Sequence, residues 1–141
     1  MIVVSVIVCS YNSVDTLGAA LDSALSQSFP SGDYEVLLVD DGSTDRTPKL
    51  AESYENRSSN VRYLRLPSNQ GLAAACNYGL DEAKGRYLIR LDADDTFHRD
   101  ILRYCVGPLE RDEADMVYCD RYEVAEVDEM RREEVQVDPF N

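Results

Sequence analysis

The chain has 141 residues, which is enough for one compact domain and too few for two complete ones. Apolar residues make up 44% of it, so it can bury a core, and disorder is not expected. The 27 aspartate and glutamate residues outnumber the 14 lysine and arginine residues and give a formal net charge of −13, which argues against nucleic acid as a partner because phosphate backbones are bound largely by basic side chains.

The cysteines and the single histidine argue against a zinc site and against a serine or cysteine nucleophile. No CxxC spacing occurs among the four cysteines, and His98 is the only histidine. Cys9 and Cys119 lie in apolar runs and are expected to be buried as small hydrophobic residues. Reduced thiols fit a cytoplasmic protein, so we expect a cytoplasmic location. Peripheral attachment to the inner face of the membrane is compatible with that location.

The chain opens on the apolar run MIVVSVIVCSYN, which predicts a first strand at Val3–Val8. This run lacks a basic flank and a small-residue cleavage site, and it is far shorter than the about 20 residues that span a bilayer. We therefore expect a buried strand rather than a signal peptide, and no membrane span in this chain. A turn at Ser10–Ser13 leads into a helix over residues 17–25, which ends before Pro30.

The middle of the chain continues the alternation of strands and helices. Glu35–Val39 is a second strand, and the helix after it has Ser43 or Thr44 as its expected N-cap. Val61–Leu66 alternates as a third strand. Leu72–Lys84 is an alanine-rich helix, with the glycine at position 85 as its expected left-handed stop.

Arg86–Leu91 is the fourth predicted strand, and a helix over residues 100–111 and a strand at Asp115–Cys119 follow it. From Asp120 onward we expect an edge strand and then a weakly structured acidic end. The alternation of strands and helices predicts an α/β fold, a three-layer α/β/α sandwich with a mostly parallel sheet.

Three polar loops follow predicted strands at their carboxyl ends: Ser10–Ser13, Asp40–Asp45 and Asp92–Thr96. In an open α/β sheet, ligands bind in the crevice outside these ends, so the loops are candidates for one shared site. Mg²⁺ and Mn²⁺ prefer oxygen ligands and commonly bridge one or two carboxylates to substrate phosphates, which makes Asp92 and Asp94 candidate metal ligands. Aspartate-rich turns also cap helices and end strands, and this is the alternative for either loop alone.

Two enzyme and signalling families also place acidic residues at strand ends. LIRLDADDT resembles the motif of haloacid-dehalogenase-like phosphatases, in which the first aspartate is a nucleophile. VLLVDDGS resembles the opening acidic pair of response-regulator receiver domains, although that pair should follow the first strand. Both families have a downstream lysine, and no lysine follows Lys84. The sequence therefore disfavours both.

Four segments in order carry a broader resemblance: VSVIVCSYN, EVLLVDDGSTDRT, NQGLAAACNYGL and GRYLIRLDADD, extended by ADMVYCDRYEV. Together they resemble the nucleotide-binding half of family 2 inverting glycosyltransferases of the GT-A fold, from about Val4 to Val124. The resemblance implies a Rossmann-like GT-A domain that binds a nucleotide sugar over residues 1–124. It implies that the acidic C-terminal tail, residues 125–141, is the start of an acceptor-binding half.

The resemblance implies roles for the residues after the first two strands. The ring of Tyr11 would stack on the base of a nucleotide sugar, with Ser10 beside it in the donor site. Asp41 would hydrogen-bond the base or the ribose, and Asp40 would support the loop or the ribose.

Asp92 and Asp94 match the DxD motif of the family. Asp94 would contact a divalent cation, Mg²⁺ or Mn²⁺, that bridges both phosphates, and Asp92 would contact the ribose or the metal. Asp95 is the next candidate ligand and would otherwise cap the following helix. The metal would neutralise charge that develops on the departing nucleoside diphosphate.

The sequence departs from the family in three respects. Relatives often have proline where Cys9 stands and arginine where Cys76 stands. We expect Cys76 to pack under its helix, with the lost charge either supplied by Arg90 or not needed. The third departure is length, since the chain stops soon after its last predicted strand. The general base of inverting transfer lies in the family's acceptor half, so no catalytic residue can be assigned.

The resemblance therefore implies metal-assisted transfer of a sugar from a nucleoside-diphosphate sugar to a glycan, lipid or protein hydroxyl, with inversion. On this reading the chain is a fragment of a longer enzyme. The alternative is a non-catalytic nucleotide-sugar-binding or interaction domain without the acceptor half. An exposed sheet edge can pair two copies through strands, so a homodimer is also among the expected assemblies.

Overall fold

The computed structural model of the protein describes residues 1–119, 121–123 and 135–136. Its strands are β1 (Val4–Ser10), β2 (Tyr34–Asp40), β3 (Val61–Arg65), β4 (Tyr87–Asp92), β5 (Tyr122–Glu123) and β6 (Val135–Gln136). Its helices are α1 (Leu17–Leu25), α2 (Thr47–Arg57), α3 (Leu72–Glu82) and α4 (Ile101–Glu110). Among the described residues, no helix combines the length and the apolar character needed to cross a bilayer. The chain forms two compact units, Met1–Tyr104 and Cys105–Asn141.

The first unit is built on a four-stranded parallel sheet with the order β3-β2-β1-β4. Every residue of β1 and β2 is buried. Central parallel strands are covered on both faces, which explains why their sequences are nearly continuous apolar runs. The predicted parallel sheet is confirmed. Because the connection from β3 leads to the far side of β1, the strand order reverses between β1 and β4.

Helices cover both faces of this sheet. Alternate strand residues form a buried cluster with Ala75 of α3, and they are Ile7, Cys9, Leu37 and Val39. The intervening strand residues are also buried and point to the opposite face, where α1 and α2 pack. Right-handed crossovers require this division, because the chain reverses its direction across the sheet before α3. The expected three-layer α/β/α arrangement is confirmed.

Small residues let α3 lie close to the sheet. A Cβ atom at Gly79 would lie 2.7 Å from Cγ2 of Ile7 and 3.2 Å from Cγ2 of Val39. Ala75, one turn earlier on the same helix, is fully buried. A larger side chain at position 79 would therefore push the helix away from β1 and β2.

A buried carboxylate joins the strands near their amino-terminal ends. One oxygen of Glu35 accepts hydrogen bonds from Oγ of Ser5 (2.7 Å) and from the backbone N of Lys84 (2.8 Å), and Nη1 of Arg62 donates to the other (3.1 Å). Burial by itself would raise the pKa of Glu35, but these hydrogen bonds and the charge of Arg62 outweigh it and hold the pKa below the ordinary value of 4.5. The carboxylate is therefore ionised and fully partnered.

The position of Gly85 differs from its predicted role. α3 ends at Glu82, and Gly85 does not adopt the left-handed conformation expected of a helix stop. A Cβ atom at Gly85 would instead lie 2.4 Å from the backbone N of Ser5. Glycine is needed there because the chain passes close to β1, which a helix-stop pattern does not reveal.

The N-cap predicted for α2 is also wrong. The helix begins at Thr47, later than a cap at Ser43 or Thr44 would place it. Ser43 is used elsewhere, since its Oγ accepts a hydrogen bond from the backbone N of Asn12 (2.9 Å). The backbone N of Thr47 donates instead to Oδ1 of Asp45 (2.8 Å).

In the second unit the strand predicted at Asp115–Cys119 is wrong, because residues 115–119 form no strand. The apolar side chains of this short run lie between acidic residues and are largely exposed, and Cys119 is exposed rather than buried. β5 pairs antiparallel with β6, in agreement with a strand shortly after Asp120. Apart from β6, the predicted acidic tail lies outside the described residues.

Candidate functional site

The polar loops predicted from the sequence begin at one edge of the sheet. β1, β2 and β4 are parallel, so their carboxyl ends lie at the same edge, where Ser10 pairs in register with Asp40 and Cys9 with Asp92. The strand order reverses between β1 and β4, and the crevice at such a point is where open α/β sheets bind ligands. Tyr11 follows β1 directly, so this residue and Asp92 lie at the two sides of that crevice.

The loop after β1 is held by the loop after β2. Asn12 has a left-handed backbone (φ 48°), which asparagine adopts more readily than most residues. Its backbone N donates to Oγ of Ser43 (2.9 Å), and its Oδ1 accepts from the backbone N of Thr44 (2.8 Å). Tyr11 is thereby held with 45% of its surface exposed. Ser10 is buried, and its hydroxyl has no hydrogen-bond partner within the described part of the chain.

Asp40 is fully buried and supports the loop that follows β2, referred to below as the second loop. Its Oδ1 accepts from the backbone N of Ser43 (2.9 Å), its Oδ2 accepts from the hydroxyl of Tyr63 (2.8 Å), and Nε of Arg65 lies 3.5 Å from Oδ2. Burial and the Asp40 carboxylate raise the pKa of the Tyr63 hydroxyl well above its ordinary value of 10. Of the two roles expected for Asp40, these contacts correspond to support of the loop.

Asp41 is buried and joins the second loop to the start of α3. Its Oδ1 accepts from the backbone N of Gln70 (2.7 Å), and its Oδ2 accepts from the backbone N of Gly71 (2.8 Å). Each carboxylate oxygen can accept a second hydrogen bond, so Asp41 retains the capacity to bind a base or a ribose. That contact stays a prediction.

Gly42 allows the second loop to pass close to the segment before α3. It has φ +72°, and a Cβ atom there would lie 2.5 Å from the carbonyl carbon of Ser68. Gly42→Ala is therefore expected to lower the free energy of unfolding by about 1–3 kcal/mol, through backbone strain and a clash with main-chain atoms that cannot rotate away. Urea denaturation followed by circular dichroism measures the change.

Two other glycines supply the controls. Gly71 has φ +92° but nothing within 4 Å of its Cβ position, and Gly32 has neither a positive φ nor a neighbour within 4 Å. The expected loss of stability is therefore greatest for Gly42→Ala, smaller for Gly71→Ala and near zero for Gly32→Ala. Equal losses at Gly42 and Gly71 would show that the close approach to Ser68 has no energetic effect.

The end of β4 carries two carboxylates beside an arginine. Oδ2 of Asp92 accepts from Nη2 of Arg90 (3.2 Å), while Asp94 is exposed in the turn that follows. Nη1 of Arg90 also lies 4.0 Å from Sγ of Cys76. Arg90 thus stands next to the position at which relatives often have arginine. Cys76 packs against the cluster that contains Cys9, which confirms its predicted place under the helix.

These carboxylates fit a hard divalent cation that is held jointly with an anionic ligand. Within the described ranges, no three histidine, cysteine, aspartate or glutamate side chains gather into a ready metal cage. Asp92 and Asp94 offer carboxylate oxygens at one strand end, and Mg²⁺ commonly takes one or two carboxylates together with phosphate and water oxygens. An anionic ligand would complete the coordination.

Cys9 lies beneath this edge of the site. It is buried, as predicted, and its Sγ lies 3.5 Å from Sγ of Cys76, with both residues present as free thiols. Burial and the neighbouring Cys76 raise the pKa of the Cys9 thiol to about 12. Cys9 is therefore a protonated thiol at neutral pH.

Sequence reasoning missed three residues that hold the loops: Asn12, Tyr63 and Arg65. The signal for Asn12 is an asparagine in a turn between a strand and a helix, where a left-handed residue is common. Tyr63 and Arg65 are two apart on β3 and therefore face the same side, which a period-2 pattern can show. Their shared partner, Asp40, is visible only once β2 and β3 are paired.

Comparison of the sequence with known proteins identifies a matching family. The family model described as Glycosyl transferase family 2 matches residues 5–135. Cholesterol galactosyltransferase of Borreliella burgdorferi is 38% identical over 114 residues, which cover 81% of this chain and 31% of that protein. Glycosyltransferase AglE of Haloferax volcanii is 34% identical over 114 residues, which cover 81% of this chain and 38% of that protein.

Solved structures agree with the sequence relatives. TarS of Staphylococcus aureus, crystallised with UDP-GlcNAc, superposes with a TM-score of 0.75 at 32% identity, over 81% of this chain and 33% of that one. Mannosyltransferase PcManGT from Pyrobaculum calidifontis, in complex with GDP-Man and Mn²⁺, gives a TM-score of 0.66 at 31% identity, over 70% of this chain and 30% of that one. The expected GT-A fold is confirmed.

The chain spans about a third of the length of the curated relatives it matches. Within that span, the parallel sheet, the loops at its carboxyl edge and the family model coincide over most of the sequence. The chain therefore belongs to glycosyl transferase family 2.

Proposed function

We propose that the protein transfers a sugar from a nucleoside-diphosphate sugar to a hydroxyl of a glycan, lipid or protein, with metal assistance and inversion. The observation that carries this proposal is the position of the exposed Tyr11 ring and of Asp92 and Asp94 on the two sides of the reversal in strand order. An aromatic face suits a nucleobase, and hard oxygen ligands suit a metal-bound diphosphate. Relatives solved with UDP-GlcNAc and with GDP-Man and Mn²⁺ support the same substrate class.

Each residue of the proposed site has a chemical role. Tyr11 stacks on the base, Asp41 accepts a hydrogen bond from the base or the ribose, and the free hydroxyl of Ser10 lies at the end of β1 beside them. Asp94 and Asp92 would hold Mg²⁺ or Mn²⁺. When bound, the cation supplies the positive charge that neutralises the leaving diphosphate.

The remaining parts of the proposal concern the rest of the protein. We propose that residues 1–124 form the donor domain and that residues 125–141 begin the acceptor-binding half. That half would supply the general base that deprotonates the acceptor hydroxyl. The free thiols among the described residues are consistent with the predicted cytoplasmic location. Attachment to the inner face of the membrane and pairing of two copies stay predictions.

Calorimetry tests the donor site directly. The chain is titrated with UDP and GDP sugars in the presence of Mn²⁺, and again after the metal has been removed with EDTA. Binding of at least one nucleotide sugar is expected with Mn²⁺, and its loss is expected with EDTA, because the carboxylates cannot accept a diphosphate without a cation between them. Absence of binding in both conditions would contradict the proposal.

A donor-hydrolysis assay separates this proposal from a non-catalytic binding domain. The observation that favours the second function is Cys76, which stands where relatives often have an arginine that could organise the donor site. Binding of nucleotide sugar followed by slow release of the sugar to water supports an enzyme site. Tight binding without any turnover, in a protein that includes all of its following residues, supports a binding domain.

A further inference from the structure

Two thiols at the carboxyl edge of the sheet have no role in the proposed transfer. Sγ of Cys9, on β1, lies 3.5 Å from Sγ of Cys76, on α3, and neither residue is in a disulfide. A disulfide bond is about 2.0 Å long, so the two sulfur atoms need to approach by only about 1.5 Å to become bonded. The pair links two elements that are 67 residues apart in sequence.

The packing of α3 accounts for this proximity. Gly79 and Ala75 present almost no side chain to the sheet, so the helix backbone lies close to β1. The Cys76 side chain then reaches the cluster that contains Cys9 and Ile7. The two sulfur atoms are therefore brought together by the main packing contact of the helix, and not by a surface loop.

The two thiols differ in their access to solvent. Cys9 is 7% exposed, whereas Cys76 is half-buried and has the guanidinium group of Arg90 at 4.0 Å from its sulfur. An oxidant from solvent therefore meets Cys76 first, and Cys9 is placed to react with the product.

We propose that Cys9 and Cys76 form a redox-modification site that closes to a disulfide in the presence of peroxide. The Cys76 sulfur attacks one oxygen of hydrogen peroxide, the O–O bond breaks, and a sulfenic acid and one water are formed. The Cys9 sulfur then attacks the Cys76 sulfur, the S–O bond breaks, and a second water leaves with the Cys9 proton. Two thiols are oxidised by two electrons, and one peroxide is reduced to two waters.

Closure of this disulfide alters the proposed donor site. Cys9 is the register partner of Asp92, and Arg90 contacts both the Cys76 sulfur and the Asp92 carboxylate. When the Cys76 sulfur moves toward Cys9, Arg90 loses its contact with that sulfur and interacts more strongly with the Asp92 carboxylate. Metal-dependent nucleotide affinity is then expected to fall about 10-fold, as for other changes beside metal ligands. This consequence rests on the proposed function, whereas formation of the disulfide does not.

The test uses a background without the other two cysteines. Cys105 and Cys119 lie within hydrogen-bonding reach of each other and would exchange with the pair, so both are replaced by serine. The Cys105→Ser, Cys119→Ser protein is treated with hydrogen peroxide and digested without reduction. Mass spectrometry is expected to find the Cys9 and Cys76 peptides joined with the loss of two hydrogens, and dithiothreitol is expected to separate them.

Cys76→Ser in the same background is the matched control and should give no joined peptide. The proposal is overturned if the treated protein keeps both thiols, or if Cys76 is oxidised to sulfinic acid while Cys9 stays unlinked. Calorimetry on the reduced and oxidised proteins tests whether the disulfide lowers nucleotide affinity. Unchanged affinity in the disulfide-linked protein would contradict this effect. If the disulfide forms but the reduced protein binds no nucleotide, the proposed function fails while the redox site stands.

Discussion

Replacement of Asp94 by alanine is expected to abolish metal-dependent binding of nucleoside-diphosphate sugars. The side chain is exposed at the carboxyl end of β4, where it can reach a cation without displacing any packed group. Mutation of residues that only hydrogen-bond to metal ligands typically lowers metal affinity by about 10–100-fold. Loss of a direct ligand is therefore expected to weaken binding by about 100-fold or more. Calorimetry with UDP and GDP sugars in the presence of Mn²⁺ measures the loss.

The neighbouring carboxylate makes the control for this experiment. Asp95 is also exposed and lies one residue further along the chain, so Asp95→Ala removes the same charge without removing the proposed ligand. We expect it to change affinity by less than about 3-fold, since surface charges act weakly across solvent. If Asp95→Ala abolishes binding while Asp94→Ala leaves it intact, the metal ligand is misassigned.

Arg62→Met is expected to produce the largest loss of stability. It leaves the Glu35 carboxylate, whose side chain is 5% exposed, without its cationic partner, and it removes the contact between β3 and Glu82 at the end of α3. Removing one partner of a buried ion pair costs about 3–5 kcal/mol. Arg62 is itself 28% exposed, so we expect a loss of about 2–4 kcal/mol in the free energy of unfolding. Urea denaturation measures the change.

The same substitution at an exposed ion pair is the control. Arg57 and Asp22 lie 3.4 Å apart with more than half of each side chain in solvent, so Arg57→Met is expected to cost at most about 1 kcal/mol. Similar losses of unfolding free energy for Arg62→Met and Arg57→Met would show that burial of Glu35 does not increase the cost of removing its ion-pair partner.

The stabilising effect of Glu35 depends on pH in a defined direction. Its pKa in the folded protein lies below the ordinary value of 4.5, so the unfolded chain binds the proton more tightly. The difference in unfolding free energy between the wild type and Glu35→Gln is therefore expected to be full above about pH 4.5 and to shrink as the pH falls further. Denaturation curves at several pH values test this, and a difference that grows in acid would contradict it.

The parallel strands of the sheet, though not their order, could be predicted from sequence because their signals are local. β1 and β2 are continuous apolar runs, and the polar residues that follow them mark the carboxyl ends of the strands. The approximate positions of Tyr11 and Asp41 follow from those strand ends, and that of Asp92 follows from the end of β4. Their partners do not, since the choice of Gln70 and Gly71 as donors to Asp41 depends on how α3 approaches the second loop.

Two of the wrong predictions share a physical cause. The sequence pattern predicts a helix stop at Gly85, but a glycine is needed there because the chain passes close to the backbone N of Ser5. The pattern also predicts Ser43 or Thr44 as the N-cap of α2, but the Ser43 hydroxyl accepts a hydrogen bond from the backbone N of Asn12. Both residues have common local roles that a contact with a distant segment overrides, and such contacts are not encoded in spacing along the chain.

The hydrogen bonds centred on Asn12 have a consequence for the energetics of recognition. They order the segment that carries Tyr11 when the chain folds, so its conformational entropy is lost before any ligand arrives. A base that stacks on this ring meets a preorganised surface, and its affinity is not reduced by the cost of ordering a loop. A substitution that removes the hydrogen bonds of Asn12 should therefore weaken ligand binding through entropy, even where every side chain that faces the ligand is unchanged.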